Sequence, residues 1–83
     1  NSAISSQEET LCVRFKEYLE LKEVKAIEVI PEKKDGTLIM KVIIDAPNAN
    51  KVRKVFSLRT DFEIANNCYF LVEIKEKSEI ENQ

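Results

Sequence analysis

The stretch whose reading decides the fold runs from Pro47 to Ile64, PNANKVRKVFSLRTDFEI. It carries two readings. In a strand, side chains alternate between faces, so Phe56, Leu58, Thr60, Phe62 and Ile64 fall on one side. Ser57, Arg59, Asp61 and Glu63 then fall on the other. In a helix, Pro47 stands in the first turn with Val52, Val55 and Phe56 on one face, but the next apolar position lands on Arg59. The alternation is the more regular pattern, so a strand from about Val52 to Ile64 is the favoured reading. The helix is the alternative.

Upstream, the strongest element is a helix over residues 6–23. Ser6 followed by Glu9 reads as a capping box, in which the hydroxyl and the carboxylate each satisfy the other residue's amide. Leu11, Phe15, Tyr18, Leu19 and Lys22 then recur down one face, and nothing from Gln7 to Glu23 breaks a helix. Ala26 to Ile30 is a short β-branched run that Pro31 ends or marks as an edge. Asp35-Gly36 predicts a hairpin, since both central residues of that turn need positive φ. Beyond it, Leu38, Met40, Val42 and Ile44 share one face of a strand, and Ile39, Lys41, Ile43 and Asp45 the other.

Downstream, Asn66-Asn67 reads as a turn. Cys68 to Lys75 is a fourth-strand candidate with Cys68, Phe70, Val72 and Ile74 inward, rivalled by a C-terminal helix. Residues 76–83 read as a polar tail, as Asn1 to Ser5 read as a polar lead-in. The expectation is one α+β domain over residues 1–83, an N-terminal helix packed on an antiparallel meander of three to four strands, with residues 26–75 mainly sheet. The alternative order is α-β-β-α-β. A chain that starts at Asn1 and holds its only methionine at Met40 is expected to be a piece of something longer.

Composition removes most chemistry. Without histidine there is no Ser-His-Asp or Cys-His device. With Gly36 as the only glycine there is no phosphate-cradling loop, and Cys12 and Cys68 alone cannot build a tetrahedral zinc site. Both cysteines lie in apolar stretches and read as buried thiols. No enzyme, cofactor, metal or small-molecule substrate is expected. No apolar run approaches the ~20 residues of a membrane span. A net charge of −2 disfavours a nucleic-acid partner. Even so, Lys51, Arg53, Lys54 and Arg59 lie in an acid-free stretch that would suit an anion. The favoured role is a protein contact: with the helix on the even-numbered face, Ile39, Ile43, Val55, Tyr69 and Leu71 would form an apolar patch on the other.

Two resemblances follow. Tyr18-Leu19-Glu20-Leu21, Leu38-Ile39-Met40-Lys41-Val42 and Ile44-Asp45-Ala46-Pro47-Asn48 stand in the same order as similar words in a known family. Val55-Phe56-Ser57-Leu58, Phe62-Glu63-Ile64 and Cys68 continue the series. Together they resemble the RWD-like globular domains that cap coiled-coil kinetochore subunits, although Glu20 and Tyr69 stand where that family tends to show Gly and Pro. The resemblance implies a heterodimeric docking module of the outer kinetochore, in the nucleus, that binds short helical receptor peptides from the inner kinetochore; apart from the resemblance, an intracellular hetero- or homodimer is expected. The alternative α-β-β-α-β order looks like small bacterial domains that build secretion or sporulation rings, or bind at membranes.

Overall fold

A computed structural model describes residues 3–81. The chain forms α1 (Ser6–Leu21), β1 (Glu28–Lys34), β2 (Thr37–Ile44), α2 (Ala49–Asn66), β3 (Leu71–Glu76) and a short α3 (Lys77–Glu81). This is an α+β domain, and its order is the α-β-β-α-β alternative with a short closing helix. Residues 1–2 and 82–83, the outer parts of the expected lead-in and tail, lie outside the described residues.

The expected strand from Val52 to Ile64 is a helix instead, so the antiparallel meander does not form. Asn48 opens α2 in extended backbone, and its side-chain oxygen accepts the Lys51 amide at 2.9 Å. Asn67 closes it in the left-handed region with φ 50°, which asparagine tolerates. Between them Val55, Leu58 and Phe62, at i, i+3 and i+7, face the core. The alternation that favoured a strand would have buried Ile64, which is 77% exposed. Arg59, the apparent gap in the helical stripe, is half-buried and lies 3.8 Å from the Glu63 carboxylate one turn on. Its long stem lets a charged residue occupy a flank of the buried face.

The first helix is capped one residue earlier than the sequence suggested. Ser5 Oγ accepts the Glu8 amide at 3.2 Å and Glu8 Oε1 accepts the Ser5 amide at 2.9 Å. This frame lets Ile4 pack against the core and brings Glu8 within 2.9 Å of Lys33 on β1. The helix ends at Leu21 through a Schellman motif. Val24 donates to the Leu19 carbonyl at 2.8 Å, Glu23 to Glu20 at 3.0 Å, and Glu23 takes φ 67°.

The hairpin is as expected, with Asp35 and Gly36 at φ 52° and 80°. Pro31 does not end β1 but stands within it, opposite Met40. The sheet order is β1-β2-β3, antiparallel in the first pair and parallel in the second. Parallel pairing follows from α2, which carries the chain back to the starting end of β2. The two long helices, α1 and α2, cover one face of this sheet. Phe15, Leu19, Met40, Val42, Ile44, Val55 and Phe70 are the largest fully buried side chains there. Each such burial stabilises by about 1.5–3 kcal/mol. Phe15 of α1 meets Phe62 of α2 at 5.2 Å and Phe70 at 5.1 Å between ring centroids, edge to face.

Candidate interaction face

The other face of the sheet is covered by neither long helix. Every β2 residue in the main core is even-numbered (Leu38, Met40, Val42, Ile44), so the odd-numbered side points away from it. The ladder sets three cross-strand rows on that side. Glu32, Ile39 and Leu71 form one; Ile30, Lys41 and Glu73 the next; Glu28, Ile43 and Lys75 the third. Isoleucines thus lie among charges of both signs. Lys41 Nζ reaches Glu32 Oε2 at 2.9 Å, and Lys75 reaches Glu73 at 3.2 Å. The Glu32 carboxylate, and more weakly that of Glu73, hold the Lys41 ammonium above its ordinary pKa.

Three of the five residues expected on this face, Ile39, Ile43 and Leu71, lie on its side of the sheet, and Tyr69 stands just before β3. Ile39 is half-buried at the centre, Leu71 is exposed beside it, and Tyr69 precedes β3 with the same parity and is 68% exposed. Ile43 shares the face but is 4% exposed, flanked by Glu28 and Lys75, and offers a partner little. Val55 does not belong: it sits on α2 and is fully buried against the opposite face of the sheet. Its assignment depended on the strand reading of residues 52–64. The accessible apolar ground is therefore the corner of Ile39, Tyr69 and Leu71 near the hairpin. Ile30, which the sequence reading left out, joins this side through its pairing with Lys41. The signal was there, because the Asp35-Gly36 turn fixes the register that places it.

No protein family, curated protein or solved structure matches the chain.

The four cations marked for an anion do not form one strip. A helix turns once in 3.6 residues, so Arg53 and Arg59 part, whereas on a strand they would share a face. Lys51 and Lys54 border a cleft of about 360 Å³ with Lys25, Glu23, Val24 and Asn50. Lys51 Nζ is bonded to the Ala46 carbonyl at 2.9 Å. Arg53 holds the Asn50 side chain on the outer surface. Arg59 lies on the far flank of α2, over the Phe56 ring, with its Nε buried and without a hydrogen bond. Among the described residues no group of three His, Cys, Asp or Glu side chains gathers to hold a metal ion. No described helix is long and apolar enough to cross a membrane.

Proposed function

We propose that the chain is a non-catalytic protein-docking domain, a part of a larger assembly, and that it docks through the side of its sheet away from the two long helices. The observation that carries this is the exposed corner of Tyr69 and Leu71 around half-buried Ile39, on a face that neither long helix protects. Surface apolar residues are common singly, but a cluster on adjacent strands with a charged rim is the pattern of a contact surface. The partner it suits is a protein surface with an apolar centre and charges of both signs. The face already neutralises most of its own charges through Lys41–Glu32 and Lys75–Glu73.

The observed α-β-β-α-β order adds a specific reading. It is the order that looks like bacterial ring-building domains, and it supports a role as a repeated piece of an assembly. The docking role implied by the kinetochore likeness is the same in kind. Its antiparallel meander, however, is replaced by α2 over Ala49–Asn66.

Leu71→Glu puts a charge into the corner at an exposed edge-strand site, where the fold tolerates it. Sedimentation with a bound partner should show loss of the complex, while the urea midpoint moves by less than about 0.5 kcal/mol in stability terms. Undiminished association of Leu71→Glu and of Tyr69→Asp would reject this face as the contact.

A further inference from the structure

The sheet has two edges, and they are not alike. Thr37 and Lys34 flank the two-residue turn and pair, and the Ile43 carbonyl accepts the Ile27 amide from the β1 side at 2.8 Å. Odd-numbered β2 residues therefore aim their N–H and C=O groups at β1, and even-numbered ones aim them at β3. Pro31 lies opposite even-numbered Met40, so its nitrogen faces away from β2, at the outer edge. Proline there removes an outward donor from the β1 edge, a common protection against strand addition.

The β3 edge has no such block. Since the even-numbered β2 groups already meet β3, the odd-numbered β3 groups answer them, and Val72, Ile74 and Glu76 turn their backbone outward. Consistently, the Glu76 amide is taken by the Glu79 side chain at 2.9 Å rather than by β2. Among the described residues no strand pairs with the outward backbone of Val72 and Ile74, and β3 holds no proline.

We propose that β3 pairs with β3 of a second copy, antiparallel and centred on Ile74, to make one six-stranded sheet. The occupant is set by charge. In this register Ile74 faces Ile74 of the copy through hydrogen-bonded backbone. Glu73 faces the copy's Lys75, and Lys75 faces its Glu73, at the closely spaced non-hydrogen-bonded positions. The triplet Glu73-Ile74-Lys75 is thus complementary to itself about Ile74. A shift of the centre by one residue either way sets Glu73 against Glu73 or Lys75 against Lys75, so the alternatives are repelled. Exposed ion pairs contribute little energy. Here they select a register, and the backbone bonds hold it.

The surroundings fit. α2 lies above the β3 side, since Glu63 on its flank accepts the Phe70 amide at 2.9 Å. The same flank carries Arg59 and the 37% exposed Phe56. A twofold axis at Ile74 brings the two α2 flanks together over the joined sheet, adding apolar contact that a strand pair alone lacks. Both uncovered sheet faces then run on into one. This proposal does not rest on the docking reading of that face, and the two fail separately.

The test uses charge reversal and mixing. Glu73→Lys alone and Lys75→Glu alone should each weaken the homodimer about tenfold in sedimentation equilibrium, from lost attraction plus repulsion at both symmetric pairs. An equimolar mixture of the two variants should associate again, and the doubly reversed chain should dimerise like the original. Amide exchange at Val72 and Ile74 should slow with protein concentration, while that at Glu73 should not. A chain that is monomeric at millimolar concentration would overturn the proposal. So would a dimer indifferent to both reversals, or one whose Ile74 amide exchanges at the same rate at every concentration. A dimer broken by Leu71→Glu but not by the reversals would sink the edge pairing and keep the face.

Discussion

Cys12 and Cys68 show how one residue type is set by its place. Cys12 faces the main core from α1, and burial, helped by the charges of Glu8 and Glu9, pushes its thiol up to about 11. Cys68, half-buried after α2, is also raised, first by burial and then by Glu63, with Arg14 opposing. Both are free thiols. Because the folded state holds the Cys12 proton more tightly than the unfolded one, its contribution is complete below the unfolded thiol range. It is lost as pH rises through that range toward about 11. Urea midpoints should therefore fall between pH 8.5 and pH 10.5 (roughly the span from an ordinary to a raised thiol), and Cys12→Ala should flatten that decline. In a thiol-reagent assay at pH 8, Cys68 should label well before Cys12. Glu8 is the opposite case. The Ser5 amide and then the Lys33 side chain hold its carboxyl below the usual range, so its support of the α1 start is present near neutrality and lost in acid.

At the scale of elements, α1, the hairpin and the period-two face of β2 were legible because each rests on local chemistry. A capping Ser, an Asp-Gly turn and an alternating run need no distant partner. Only the capping frame slipped, because Ser5-Glu8 and Ser6-Glu9 both satisfy the box, and packing of Ile4 with the Lys33 pair decided between them. α2 was not legible in the same way. Its stripe is only Val55, Leu58 and Phe62, and the same residues nearly fit an alternation. Its ends carry cap chemistry, Asn48 before it and Asn67 after it, which supports the helix once packing has selected it. Asn48→Ala should cost about 1 kcal/mol in chemical unfolding, with helical content lost first at the Lys51 end of α2. Asn48→Asp or Asn48→Ser should hold. Equal stability of Asn48→Ala and the parent would mean the cap is not what starts the helix.

At the scale of the molecule, three rings join what the sequence keeps apart. Phe15 from α1, Phe62 from α2 and Phe70 before β3 sit 5.1 to 6.1 Å from one another. Phe70 is fully buried although it belongs to no strand or helix, so it anchors the return of the chain to the sheet. Phe70→Ala should cost about 3–5 kcal/mol. That is a large share of the ~5–15 kcal/mol typical of a domain, and thermal melting should show a fall of tens of degrees or no cooperative transition. The predicted apolar patch is also a tertiary matter. Ile39, Ile43 and Leu71 reached one side because strand parity is local, whereas Val55 left it when α2 replaced a strand. By itself the sequence determined the α+β class, the first helix, the hairpin, the inward and outward faces of β2 and the absence of histidine chemistry, all local or compositional. The tertiary structure alone decided that residues 49–66 are helical, that β3 runs parallel to β2, and that the two long helices share one face of the sheet. Those outcomes depend on which apolar surfaces can be buried together, and a pattern of period two or 3.6 within one segment does not contain that.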